Sequence, residues 1–299
     1  MPIDYGALSR VICVANGKGG VCKTSLVANI GGLTAAANYR TLLVDLDPQG
    51  DLSDDLGYFD NPADDHGKAL AAALLTGNAL APILKDVRPN LDVITGGEHL
   101  ADVVGGLVAR MSRGASTTDG LAAALAPLAA QYEVVFIDTP PVDAALQSVA
   151  LGAARWLIVP THADASSIRG IRRIAERLAA TTHQLDLLGV VLTGVPTRAH
   201  RVRADAAADI SALLGGTAPV FEATIRSSDA AARATRAEGL LVHELAERVE
   251  GAEPFWQALR NGTTPQRVPG SAPALAEDYV RLTEEVLSRI AAIEMAGVA

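Results

Sequence analysis

The chain has 299 residues, enough for one large domain or two small ones around a sizeable core. Its composition is 49% hydrophobic and 20% charged, with only 4% aromatics, and heavy alanine use predicts helix-rich structure on an aliphatic core. A net charge of −9 excludes attraction to nucleic acid or anionic membrane through the overall field, so such binding would need a local basic patch. The two cysteines, Cys13 and Cys22, cannot cage a metal or frame a disulfide scaffold. The opening residues MPIDYGALSR hold no apolar run of the secretory kind, and no window reaches the ~20 apolar residues of a membrane span. A cytoplasmic protein is expected.

Residues 10–16 (RVICVAN) are a β-branched run ending at a glycine-rich turn, which predicts a buried parallel strand. From Lys23 to about Asn38 the pattern is helical, with Leu26, Ile30 and Leu33 on one face. Thr41–Leu46 is the next strand and carries Asp45 and Asp47 at its end. Residues 60–85 read as helix, and 91–95 as a third strand closed by Gly96-Gly97. An alanine-rich helix over 119–131 precedes a strand at Glu133–Ile137 and the sequence Asp138-Thr-Pro-Pro. Trp156–Pro160 and Leu188–Thr193 are further strands, separated by an arginine-studded helix at 166–180, and Pro219–Ile225 is a last short one. This alternation predicts one α/β domain over 1–299, a mostly parallel twisted sheet with helices on both faces. Residues 251–274 concentrate Gly, Pro and Thr and read as a loop or insertion, and 275–294 as an amphipathic helix with Leu282, Val286 and Ile290 on one face.

The stretch NGKGGVCKTS (16–25) joins the first strand to the first helix. Strand, glycine-rich turn and Lys-Thr opening a helix form the context in which backbone N–H groups and the helix dipole gather phosphates. Lys23 would lie along the β- and γ-phosphates and Thr24 would offer its hydroxyl to Mg²⁺. Cys22 stands where such loops usually carry glycine. A side chain there costs on the order of 1 kcal/mol if the backbone is left-handed. Among the loop's N–H groups and two lysines, its thiol is expected to have a lowered pKa and some redox sensitivity.

With its second lysine, Lys18, the loop reads KGGxxK[ST] and resembles the deviant Walker A motif of the ParA/MinD family of P-loop ATPases, ParA (Soj-like) members most closely. VDLDPQGDLSDDLG (44–57) resembles the family's switch I segment, and YEVVFIDTPP (132–141) its Walker B/switch II segment. WLIVPTHADASSIRGIRR and YVRLTEEVLSRI fit the same layout, so the likeness covers nearly the whole chain. The resemblance implies a P-loop NTPase fold and ATP and Mg²⁺ as cofactors. Lys18, Gly19, Gly20, Val21, Cys22, Lys23, Thr24 and Ser25 would hold the nucleotide, and Thr24 and Asp138 the metal, Asp138 through a water. Lys18, Lys23 and Asp47 would be catalytic, with Lys18 reaching the partner's ATP in a homodimer and Asp47 placing the attacking water. It further implies slow hydrolysis, stimulated by a ParB-like centromere-binding partner.

ParA-type members bind non-specific DNA and MinD-type members bind membrane. The tail EDYVRLTEEVLSRIAAIEMAGVA has five acids against two arginines, which argues against a membrane-targeting helix. Arginines cluster instead in the second half, at Arg169, Arg172, Arg173 and Arg177 and again at Arg203 and Arg226. By the resemblance Arg198, Arg201, Arg233 and Arg236 are the DNA-facing candidates, which would make the protein nucleoid-associated. About ten residues precede the first strand, so operator binding through an N-terminal helix-turn-helix is not expected. Family members often carry Asn after the strand ending at Thr193 and Pro where Arg226 stands, so adenine contacts are not assigned. The alternatives are a non-hydrolysing ATP-binding scaffold and a positioning ATPase for another cargo. A nitrogenase-type iron protein is disfavoured because no cysteine follows Cys22, and a tyrosine-kinase relative because the tail holds only Tyr279.

Overall fold

The central strands bury every residue on both faces, which is why they read as unbroken apolar runs in the sequence. The computed structural model describes residues 3–113, 118–164, 167, 170–171, 183–195, 199–216, 219–251, 257, 260–261 and 269–297. Most of the expected helix at 166–180, most of the insertion over 251–274, and Arg169, Arg172, Arg173, Arg177 and Arg198 lie outside the described residues.

Eight strands form one sheet: β1 (Val11–Val14), β2 (Thr41–Asp45), β3 (Leu84–Arg88), β4 (Leu91–Ile94), β5 (Val134–Asp138), β6 (Trp156–Thr161), β7 (Asp186–Thr193) and β8 (Val220–Ile225). Their order is β3-β4-β2-β5-β1-β6-β7-β8, and all neighbours are parallel except β3 and β4. The period-2 alternation of the strands divides the core in two. Val11, Cys13, Leu42, Val44, Val135 and Ile137 point to one layer, with α3 (Lys68–Thr76), α4 (His99–Ser112), α5 (Asp119–Ala129) and α6 (Ala144–Ala153) on that side. Ile12, Val14, Leu43, Val134 and Phe136 point to the other, against α1 (Lys23–Ala36), which follows β1. Further along the chain run α2 (Leu52–Leu56), α7 (His200–Leu213), α8 (Asp229–Glu238), α9 (Val242–Gly251) and α10 (Ala272–Gly297). Leu282, Val286 and Ile290 of α10 are buried against the second layer.

The helical reading of 60–85 overruns the helix. α3 stops at Thr76, capped by Gly77 at φ 72°, and Leu84–Arg88 is an edge strand antiparallel to β4. Pro89-Asn90 makes the connection, with Asn90 left-handed at φ 63°. Only one side of this strand meets the core: Leu84 is buried while Lys85 and Asp86 are exposed, so it lacks the apolar run that betrays the central strands. Asp86 is itself left-handed at φ 51°, and its N–H donates to the Asp92 side chain. At the opposite edge, α10 covers β8 with side chains. The Glu285 carboxylate accepts the N–H groups of Glu222 and Ala223 at 3.1 and 3.0 Å, and the carbonyls of Val220 and Glu222 accept from Arg289 and Arg203.

α1 packs closely enough that its interior must be bare. A Cβ on Gly31 would lie 2.5 Å from Leu43 Cδ2, and one on Gly32 would lie 2.1 Å from Leu241 Cδ1. Gly32→Ala gains helix propensity of roughly 1 kcal/mol but forces overpacking that costs about 1–3 kcal/mol. A lowered denaturation midpoint is therefore the expected outcome in a urea titration, against the rise that propensity alone would give.

Candidate active site

The ends of β2, β5 and β1 meet at the carboxyl edge of the sheet, where ligands of open parallel sheets gather. The 16–25 loop leaves β1 there. The Asn16 side chain pins its start, donating to Pro160 O at 2.6 Å and accepting from the Lys18 N–H at 3.0 Å. Gly20 is left-handed at φ 72°, its carbonyl 2.9 Å from His162 Nε2. Gln147 Nε2 donates to Pro140 O at 2.7 Å and to Pro141 O at 3.2 Å, and Thr139 Oγ1 donates to Val14 O. These ties fix the loop against the turn after β5. No short motif announces His162 or Gln147, since each acts across more than 100 residues.

Cys22 is the N-cap of α1, with φ 64° and ψ 30°. The left-handed conformation that makes glycine usual here is thus present, and the cysteine bears a strain of about 1 kcal/mol or more. Its expected low pKa is overturned. The residue is solvent-accessible, yet burial of the thiol and the nearby Asp55 carboxylate push the pKa up, and Arg236 and Lys23 pull back less. The sequence reading counted the lysines of the loop but not the acid on α2.

Lys23 is buried, its ammonium 3.4 Å from the Lys18 carbonyl, and burial lowers its pKa against the opposing pull of Asp138 and Asp47. Lys18 points another way: its Nζ lies 3.1 Å from Asp164 Oδ2 and 2.8 Å from Ser167 Oγ of the same chain. Asp47 is buried, accepts the Gln49 N–H at 2.9 Å, and has its pKa raised chiefly by burial.

Asp45 and Asp138 are neighbours in the β2–β5 register and both fully buried. Each keeps one oxygen in use, from the N–H of Asp47 and Thr139 respectively, and in each the Oδ2 has no partner. Burial pushes Asp138 up to about 7, with the Thr24 hydroxyl and Lys23 pulling down and Asp47 pushing further. Asp45 is raised by burial and then by Asp138 itself. Orphaned buried carboxylate oxygens beside a threonine hydroxyl are the donor set that a hydrated Mg²⁺ takes, since that ion keeps most of its waters and needs few protein ligands. No group of three or more His, Cys, Asp or Glu able to cage a metal exists among the described residues.

A cleft of about 760 Å³ opens over the loop, lined by Cys22, Lys23 and Thr24 and, across from them, by Asp229, Arg233 and Arg236 of α8. A larger hollow of about 960 Å³ between β8, α7 and α10 is lined by charges that satisfy one another, as in the double hydrogen bond from Arg226 to Asp278 at 2.6 and 2.7 Å. Of the expected DNA-facing arginines, Arg198 lies outside the described residues and Arg201 is exposed on α7. Arg233 and Arg236 face the nucleotide-sized cleft, with Arg236 Nε 2.8 Å from Asp55 Oδ1.

A parallel sheet, a phosphate-gathering turn at a helix start and paired acids on the adjoining strand ends define a P-loop nucleoside triphosphatase. The family model described as an AAA domain matches residues 9–187. The chromosome partitioning protein ParA of Caulobacter vibrioides is 32% identical over 222 residues, covering 72% of this chain and 80% of that one. Cobyrinic acid a,c-diamide synthase from Mycobacterium smegmatis, solved with an ATP analogue and magnesium, is 30% identical, with a TM-score of 0.62 over 84% of this chain and 97% of that one. The ATP complex of a Cyanothece McdA variant shares the fold at 21% identity, with a TM-score of 0.68 over 94% and 97%. The chain belongs to the ParA/MinD-type P-loop ATPases, whose cofactors are ATP and Mg²⁺. No described helix is long and apolar enough to cross a membrane.

Two outcomes follow from the titrating groups. Because Asp138 binds its proton more tightly folded than unfolded, stability of the nucleotide-free protein falls as pH rises from about 4 toward about 7. Thermal melts across that range should show the decline, and Asp138→Asn should flatten it and raise the midpoint at pH 8 by a few degrees. For Cys22, iodoacetamide should react more slowly at pH 7.5 than with free cysteine, with a pH–rate midpoint above the ordinary ~8.5 of a free thiol. A midpoint on the acid side would contradict the assignment of Asp55 as its dominant charged neighbour.

Proposed function

We propose that this chain is the ATP-dependent switch of a DNA-partitioning system. The observation that carries the reading is the convergence of Lys23, Thr24 and Asp47 on one cleft at the carboxyl edge of the sheet, with Asp138, its Oδ2 orphaned, buried beside Thr24 and Lys23. In this reading the backbone from Gly19 to Ser25 cradles the polyphosphate, Lys23 lies along its outer phosphates, and Cys22 is a tolerated residue that weakens rather than abolishes binding. Thr24 and, through water, Asp138 hold Mg²⁺, which neutralises charge on the phosphates when bound. Asp47 orients the attacking water.

Lys18 is the residue that makes hydrolysis conditional. Held by Asp164 and Ser167 of its own chain, it is kept from the transferring phosphate until a second copy docks. That supports slow turnover by the isolated chain and an ATP-dependent homodimer as the active species. The dimer binds non-specific DNA through Arg198 and Arg201, placing the protein on the nucleoid, and a ParB-like centromere-binding protein stimulates hydrolysis. The exposed polar face of α10 carries Glu277 and Glu284 and does not suit a membrane surface. A second reading, a positioning ATPase for another cargo, is supported by 34% identity over 172 residues to the cell division protein PomZ of Myxococcus xanthus.

An electrophoretic shift of arbitrary-sequence DNA at low salt, with ATP and Mg²⁺ but not ADP, is the expected result, together with ATP turnover that rises on adding DNA and partner. Asp47→Ala should keep the shift and lose turnover by at least ~10²-fold. Absence of any shift would remove the DNA-partition reading, and zero turnover with Asp47 intact would leave a non-hydrolysing scaffold. Stimulation by a partner that binds no DNA would favour the other-cargo reading.

A further inference from the structure

The loop motifs account for one wall of the cleft, and α8 forms the other. Along that lining stand three carboxylates, Asp47, Asp51 and Asp229, against three cations, Lys23, Arg233 and Arg236. Without the two arginines of α8 the walls would present one cation and three acids to a polyphosphate. We propose that Arg236 is a nucleotide-binding residue of the same chain, its guanidinium meeting the polyphosphate at the Cys22–Ser25 end of the loop. The assignment rests on the ATPase reading above and replaces the DNA-facing role that the sequence suggested for this residue.

Three features position it. Asp55 on α2 is buried, lies against the Ser25 hydroxyl in the first turn of α1, and takes Arg236 Nε at 2.8 Å. Neither terminal amine of Arg236 has a hydrogen-bond partner among the described residues, and the side chain is 43% exposed. The backbone beneath it is clamped. Gly57, which ends α2, and Gly239, which ends α8, approach so closely that a Cβ on Gly239 would lie 2.2 Å from Gly57 Cα. Arg88 bridges the same two turns, donating to Leu56 O at 3.2 Å and Gly239 O at 2.9 Å, while Glu244 holds its guanidinium. Arg236 stands three residues before that clamp. It is fixed over the loop by two independent ties, one through its side chain and one through its helix, which is the supporting shell that a ligand-binding cation needs. A cleft of about 760 Å³ is of the size that takes a nucleotide.

Titration with a fluorescent 2′/3′-N-methylanthraniloyl-ATP and Mg²⁺, without DNA, tests the assignment. Arg236→Ala should weaken binding about tenfold or more, the loss expected for one charge-assisted contact, and raise KM more than it lowers kcat. Arg236→Lys should recover part of the affinity. Because Arg236→Ala also strands Asp55, the Asp55→Ala/Arg236→Ala double variant should restore the melting temperature but not the affinity. Recovery of affinity together with stability would show a purely structural role and overturn the proposal. So would unchanged nucleotide affinity in Arg236→Ala accompanied by loss of the DNA shift. Failure of the wild-type chain to bind the analogue at all would instead defeat the ATPase reading itself, and the two failures are distinguishable.

Discussion

Two carboxylates buried side by side dominate the physics of this molecule. Asp45 and Asp138 are set next to each other by the parallel register of β2 and β5, so neither can move away without breaking the centre of the sheet. Each is short of a hydrogen bond, and burial makes ionisation of both unfavourable. In the proposed site that deficit is what a hydrated Mg²⁺ would relieve. The surroundings are arranged around that deficit: the P-loop delivers Lys23 and Thr24 beside it, Asn16 and Gln147 hold the loop in place, and the Asp47 segment begins where β2 ends.

The cations in and beside the phosphate loop come from separate parts of the chain, and they differ in how firmly they are held. Lys23 is buried and fixed by the start of α1. Lys18 is tied to Asp164 and Ser167 of its own chain, contacts that it would have to give up in order to reach a partner's nucleotide as proposed. Arg236 is tied to α2, which directly follows the Asp47–Asp51 segment. The Asp55–Arg236 pair and the Gly57–Gly239 contact thus join the segment after Asp51 to α8, a short path of direct contacts from the phosphate end of the cleft to a surface helix.

Sequence reasoning reached the features that are local and failed on those that are not. The central strands were legible because burial on both faces leaves an apolar run, and the phosphate loop because strand, turn and helix lie within a few residues. β3 was hidden, since an edge strand with one buried face and a left-handed Asp86 shows no run at all. The thiol of Cys22 was misjudged because the burial that chiefly raises its pKa, and the Asp55 carboxylate that adds to it, come from packing beyond the loop. The tie of Arg236 to Asp55 is illegible for the same reason: the two are 181 residues apart, and no pattern in α8 reveals which face meets α2. Spacing shows which groups a loop gathers, but not what the fold brings over it.

Both edges of the sheet are closed to strand addition. On β8 the free amides are consumed by Glu285 and carbonyls by Arg289 and Arg203; on β3 a bulge and exposed charges break the ladder. A second copy therefore cannot associate by extending the sheet, the route that leads to open-ended fibres. In the proposed homodimer, a contact through the loops of the carboxyl edge would include the nucleotide's own surroundings. Occupancy and self-association would then share one surface, and the thermodynamic linkage between them would arise from the topology rather than from any additional regulatory element.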